Sequence, residues 1–271
     1  MNHDDNNEHD VFNHVIGYRN LVRPARIMVK NLMHITMINN IKKTDINMAS
    51  LNDFIIQKAR PLPVIVAVDR SGSMSKNGKI EALNLALKNF VNSLKEEKSD
   101  KIEIQLALYS FGGRDEVTCE NELCPIDSVT CHDYTAYGRT PLGGTLSAIK
   151  QLIEDRTKIP SRSYAPTVVL ITDGESTDET DQALSSFRNE GRSAKAFRIA
   201  MAIGDDADIA FLKSFVSEPE YLVTGESAAD IKQFFKFVTM SVSQRTHSQT
   251  PDSIKLSIKS VSAEDDDEII L

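Results

Sequence analysis

Tryptophan is absent from this 271-residue chain and cysteine is scarce, at three. A small, odd number of cysteines excludes a disulfide framework and fits a reducing compartment. Glycine is almost missing from the first sixty residues, which hold only Gly17; the other eleven lie between 61 and 245. Nowhere do about 18 apolar residues run together, so no membrane-spanning helix is expected. Positive charge is the minority, 31 Lys and Arg against 39 Asp and Glu. The resulting net charge of −8 argues against a cationic nucleic-acid footprint and against docking on anionic lipid. The opening Met1-Asn2-His3-Asp4-Asp5 is acidic and polar, whereas a secretory leader starts basic and turns apolar. The expectation is a cytoplasmic protein that contacts neither nucleic acid nor membrane. Hydrophobic residues make up 41%, enough for a full-sized core.

That core is not spread evenly. Residues 1–60 carry weak periodicity, with Lys30, Asn31 and His34 interrupting the apolar positions between Ile27 and Ile38, and read as an extension without a fold of its own. Met48-Ala49-Ser50-Leu51 also reads as a start, which would put the preceding residues upstream of the true one. Residues 246–271 turn polar and then acidic, ending in Glu264-Asp265-Asp266-Asp267-Glu268, the composition of a disordered tail. The domain is expected over 61–245.

Within it, Val64 to Asp69 is a continuous apolar run closed by a carboxylate, as in a strand buried on both faces. Ile80, Leu83, Leu87, Phe90, Val91 and Leu94 recur at helical spacing. Strands follow at 102–111 and 167–172, with a short edge strand near 116–119 between them. Further strands are expected at 196–203 and 220–223. Helices are expected through Leu142–Ile153, through Ala183–Phe187 with a stop before Gly191, through Ile209–Val216, and through Ile231–Val242. Alternation of this kind predicts a mainly parallel sheet with helices on both faces. Ligands of such sheets sit beyond the carboxyl ends of the strands, where the strand order reverses. The loops Asp69–Ser73 and Asp173–Glu175 both follow buried strands, so they share one edge.

Those loops carry oxygen donors. Asp69, Ser71 and Ser73 stand at alternate positions; Thr140 precedes a helix in Gly138-Arg139-Thr140-Pro141-Leu142-Gly143-Gly144; Asp173 closes Ile171-Thr172-Asp173. Hydroxyls and carboxylates suit a hard divalent cation such as Mg²⁺ or Mn²⁺. Each piece alone also has a structural reading: Asp-x-Ser-x-Ser as a capping turn, Thr140-Pro141 as an N-cap with proline at the first helical position, Asp173-Gly174 as a plain turn.

Together and in this order, the three segments resemble the metal site of von Willebrand factor type A domains, a likeness that covers residues 61–245. The resemblance implies a Rossmann-like three-layer α/β fold and a metal touched directly by Ser71, Ser73 and Thr140, with Asp69 and Asp173 acting through water. It implies a sixth coordination position filled by an Asp or Glu of a protein partner, with Met74, Ser75, Gly138, Arg139, Gly174 and Glu175 on the rim. Arg60-Pro61-Leu62-Pro63, Thr140-Pro141-Leu142-Gly143, and Phe234-Phe235-Lys236-Phe237-Val238 with Ser241-Val242-Ser243 further resemble bacterial cytoplasmic members of the TerY or YegL type. That likeness implies a tellurite-resistance or stress system in which a kinase or phosphatase is the partner.

Enzyme readings fit less well. A haloacid-dehalogenase-like phosphohydrolase also ends a strand in Asp beside Mg²⁺, but needs a second carboxylate where Ser71 stands. A serine hydrolase needs a base, and the domain offers only His132. No phosphate-binding Gly-x-x-x-x-Gly-Lys segment is present. Cys119, Cys124 and Cys131 with His132 are zinc-compatible donors, though the spacing is that of no familiar knuckle; reduced thiols over a sheet edge are the alternative. The acidic tail could present a carboxylate to a neighbouring molecule's metal. Asp69 and Asp173 are expected in surface loops, where alanine would be tolerated by the fold.

Overall fold

The computed structural model describes residues 58–254, Asp115 excepted; the expectations for residues 1–57 and for the acidic tail lie outside the described residues. The apolar run forms β1, Arg60–Asp69, in which every residue after Arg60 is buried. It is buried because it is central: β2, Ile102–Gly112, pairs with it in parallel on one side and β4, Thr167–Thr172, on the other. Each fully buried Val or Ile contributes about 1.5–3 kcal/mol, so this strand and β4 hold the domain's hydrophobic centre. β5, Phe197–Ile203, and β6, Leu222–Gly225, extend the parallel sheet beyond β4. With β3, Glu116–Pro125, at the edge beside β2, the strand order is β3-β2-β1-β4-β5-β6.

β3 corrects an expectation. It runs Glu116–Pro125 rather than stopping near Cys119, and it pairs antiparallel with β2, with register shifts opposite Leu106, Leu108 and Tyr109. An edge strand paired on one side needs no apolar run, and Thr118, Glu120, Asn121 and Glu122 conceal it in the sequence. β6 likewise starts later than expected, because Pro219–Tyr221 forms a 3₁₀ turn first.

The helices follow from their apolar spacing. α1, Lys79–Glu96, buries Ile80, Leu83, Leu87, Phe90, Val91 and Leu94. It pairs with α5, Ala228–His247, through Phe90 and Phe235, whose ring centroids are 5.2 Å apart. α5 starts with a capping box, Ser227 and Asp230 each accepting the other's backbone N–H. α2, Leu142–Glu154, and α3, Asp181–Asn189, associate with each other, and α3 stops with Gly191 at a positive φ of 66°. α4, Ile209–Phe215, is a short helix of about two turns against β5. Right-handed crossovers on either side of β1 put the α1 and α2–α3 layers on opposite faces. The domain limit expected at 245 falls inside α5. Arg245 is buried and donates to the Thr167 hydroxyl at 2.6 Å, to the Ala165 carbonyl at 2.8 Å and to Asp252 at 2.9 Å, so the domain's packing includes residues past 245.

Candidate metal centre

The chain leaves β1 for β2 on one side and later enters β4 on the other, so the order reverses between β1 and β4, the place where such sheets bind ligands. Asp69 closes β1 there and Asp173 follows β4. Both are fully buried, not in surface loops as expected, and each has fixed partners. Asp69 Oδ1 accepts the Ser71 N–H at 2.7 Å, and Oδ2 accepts the Thr172 hydroxyl at 2.6 Å. Asp173 Oδ1 accepts the Ser73 hydroxyl at 2.6 Å, and Oδ2 accepts the Lys79 ammonium at 2.8 Å. The Ser71 and Ser73 hydroxyl oxygens are 2.9 Å apart. A hydroxyl has one proton; that of Ser73 goes to Asp173, so Ser71 donates to Ser73. The result is a chain of oxygen atoms, Ser71 to Ser73 to Asp173, lying across the carboxyl ends of two adjacent strands.

The capping readings do not describe these turns. Ser71 is the N-cap of a 3₁₀ turn, Gly72–Ser75, and its side chain makes no capping bond. At α2 the N-cap residue is Pro141, again without a side-chain cap. The first free N–H groups of the helix, on Gly143 and Gly144, are taken by Asp178 Oδ1 and Oδ2 at 2.9 and 2.8 Å. Capping of α2 thus comes from the loop after β4, and Thr140 is released from it. The same loop holds Thr140 by its backbone: Thr177 N–H donates to Thr140 O at 2.9 Å, and Thr140 N–H to the Thr177 hydroxyl at 3.1 Å. A Cβ placed on Gly174 would lie 3.8 Å from Thr140 Oγ1 and 3.9 Å from Ser73 Oγ. Those two hydroxyls, from loops far apart in sequence, therefore face the same small space.

Close backbone contacts hold the first loop in register. Arg70 N–H donates to Phe111 O, Tyr137 N–H to Arg70 O, and Gly72 N–H to Gly138 O. Gly138 has φ 83°, and a Cβ there would fall 1.4 Å from the Gly113 carbonyl oxygen. Only glycine fits. The Arg70 guanidinium lies over the Tyr137 ring, 4.7 Å from its centroid, and 3.5 Å from Glu120.

Burial pushes the Asp69 carboxyl up to about 6, against the opposing hydrogen bonds from Thr172 and Ser71; the nearby Asp173 charge adds to the rise. Two carboxylates out of water beside a single ammonium are short of positive charge, the condition a cation relieves. The donor set is all oxygen, which fits a hard divalent ion. The residues present fit a metal held by Ser71, Ser73 and Thr140 with Asp69 and Asp173 behind them.

Of the rim residues, Ser75, Gly138, Arg139 and Glu175 are exposed and Gly174 partly so. Met74 is a correction: the 3₁₀ turn points it inward and it is fully buried in the core. Thr172, Lys79 and Asp178 contribute to the site without having been singled out. Lys79 had a signal, a cation at the first position of a helix, where the dipole disfavours it. Asp178 had none, because its cap is made to a helix distant in sequence. The cysteines do not converge. Cys119 and Cys124 of β3 lie opposite Tyr109 and Leu106 of β2, whereas Cys131 lies near Lys88 and Lys95 of α1, and no group of three or more His, Cys, Asp or Glu that could hold a metal ion forms among the described residues. Among the described residues no helix is long and apolar enough to cross a membrane.

The von Willebrand factor type A domain model matches residues 64–237. The chain belongs to this family. Among solved structures it is similar to proximal thread matrix protein 1 from the mussel byssus, with a zinc-occupied MIDAS motif, at 20% identity and TM-score 0.53, covering 70% of this chain and 47% of that one. It is also similar to the pilus adhesin SpaC from Lactobacillus rhamnosus GG, at 13% identity, TM-score 0.56, 70% of this chain and 31% of that one. A von Willebrand factor type A protein from Catenulispora acidiphila matches at 18% identity, TM-score 0.51, 68% of this chain and 43% of that one. At these identities the likeness is one of fold, and this chain spans less than half of each. A comparison with curated proteins by sequence finds no match.

Proposed function

We propose that this von Willebrand factor type A domain is a protein-interaction module. In this reading it binds Mg²⁺ or Mn²⁺ through Ser71, Ser73 and Thr140, with Asp69 and Asp173 acting through water, and uses the open position for an Asp or Glu of a partner. The observation that carries the reading is the oxygen chain from Ser71 through Ser73 to Asp173 at the strand switch, with Thr140 Oγ1 brought beside it. Neutral hydroxyls leave the ion electrophilic, so an external carboxylate is its natural last ligand. Zinc in the motif of the mussel protein supports a divalent ion here without choosing which. Ser75, Arg139 and Glu175 then supply contacts around the bridge. A cytoplasmic stress or tellurite-resistance setting, with a kinase or phosphatase as the acidic partner, belongs to the same proposal. It rests on the sequence likeness to TerY-type proteins and on three free cysteines.

The test is a calorimetric titration of Mg²⁺ and Mn²⁺ into chelator-stripped protein, followed by a pull-down from the native host with Mg²⁺ or with EDTA. Saturable 1:1 binding, lost in Ser71→Ala and Ser73→Ala proteins that still fold, with a partner captured only in Mg²⁺, is expected. Partners that persist in EDTA would overturn the metal bridge.

A further inference from the structure

Lys79 is placed against its local interests. It is the first residue of α1, whose N-cap Gly78 offers no side-chain cap, and a cation at a helix N-terminus opposes the dipole. Its side chain is only 11% exposed, although lysine ordinarily keeps its ammonium in water. It lies with Nζ 2.8 Å from Asp173 Oδ2. The turn after β5 makes room for it, since a Cβ on Gly204 would come within 3.3 Å of Nζ. No other salt bridge in the described residues involves a wholly buried carboxylate.

We infer that Lys79 is a tethered counter-cation that stands in for the divalent ion while the site is metal-free and competes with it electrostatically when it binds. The inference rests on the metal-site reading and deepens it. Two carboxylates and one ammonium leave the centre at −2 + 1 = −1; a divalent ion then brings it to +1. Without Lys79 the same centre would start at −2 and end neutral. The ammonium therefore lowers affinity for the metal and leaves the loaded site net positive, which favours an acidic ligand. Lys79 holds Oδ2 of Asp173 and the Ser73 hydroxyl holds Oδ1, so the ammonium and the hydroxyl chain meet on one carboxylate.

Chelator-stripped wild type, Lys79→Met and Lys79→Arg are titrated with Mn²⁺ by calorimetry, and their melting temperatures are recorded in EDTA. A unit charge beside a buried group shifts ionic equilibria by roughly one to three powers of ten. Lys79→Met is therefore expected to bind Mn²⁺ about tenfold tighter or more, while melting lower in EDTA. Lys79→Arg, which keeps the charge, stays within a few-fold of wild type. A Lys79→Met protein that folds only with Mn²⁺ present would also support the inference, since the ion then does the ammonium's work. Equal or weaker Mn²⁺ binding by Lys79→Met would overturn it and make Lys79 an orienting contact for Asp173. Wild-type binding that is abolished by Ser71→Ala shows the metal-site reading intact in that event. No Mn²⁺ binding by any of the proteins would overturn both.

Discussion

The Thr172 hydroxyl donates to Asp69 Oδ2 at 2.6 Å, tying the last residue of β4 to the last residue of β1. Through this bond the carboxylate at the head of the site is fixed by the neighbouring strand as well as by its own loop. Hydrogen bonds to charged acceptors contribute about 1.5–3 kcal/mol. Thr172→Val, which keeps the shape and removes the donor, should cost about 1–2 kcal/mol in urea denaturation and weaken divalent binding several-fold. Unchanged metal affinity would show that Asp69 does not need this restraint.

Asp69 itself should make the metal-free protein pH-sensitive. Burial raises its carboxyl to about 6. A carboxyl raised on folding stabilises in its protonated form. That contribution is complete below the unfolded value near 4 and is lost as pH climbs through about 6. The loss is on the order of 2–3 kcal/mol. Asp69→Asn should therefore melt higher than wild type at pH 7.5 in EDTA, with the gap closing toward pH 4, while failing to bind metal. Calorimetry across that range decides it; an Asn variant less stable at pH 7.5 would mean the ionised carboxylate is favourable where it stands.

Asp178 caps a helix from outside it. Loss of an N-cap costs about 0.5–2 kcal/mol. Asp178→Ala should lose that much and also loosen the Thr140 turn, weakening Mn²⁺ binding although Asp178 makes no contact with the donor atoms of the reading above. A stability loss with unaltered Mn²⁺ affinity would separate the cap from the site.

Gly138→Ala places a Cβ where the Gly113 carbonyl oxygen already sits. The loops must move apart or the domain must open, so a loss above about 2 kcal/mol is expected. Hydrogen exchange should report it first at the Gly72 and Gly113 amides, which bond across this contact. Wild-type protection at those amides would contradict the close approach.

The central strands were readable because burial on both faces leaves no choice but an apolar run: Val64 to Val68 and Val168 to Ile171 announce themselves. The site loops were readable because their place follows from those strands. The second half of β3, past Cys119, escaped because pairing on one edge puts little hydrophobic demand on its residues. Met74 misled because residues beside a metal-binding pattern look like surface, whereas the 3₁₀ turn rotates this one into the core. The burial of Asp69 and Asp173 was also hidden. A carboxylate at a strand end reads as solvent-facing unless its partners are known, and Thr172, Ser73 and Lys79 are partners only in three dimensions. Lys79 was the one of these with a local trace, a charge of the wrong sign for its place in α1.

The double clasp of Asp178 on Gly143 and Gly144 has a mechanical consequence. The turn after β4 and the head of α2 form one corner, closed by the two Thr177–Thr140 hydrogen bonds, one backbone to backbone and one from the Thr140 N–H to the Thr177 hydroxyl. Displacing the turn after β4 therefore displaces the first turn of α2 with it. That first turn is in turn held by the buried Leu142, Leu146, Ile149 and Ile153 of α2, so the position of Thr140 is tied to the core as well as to the loop that clasps it.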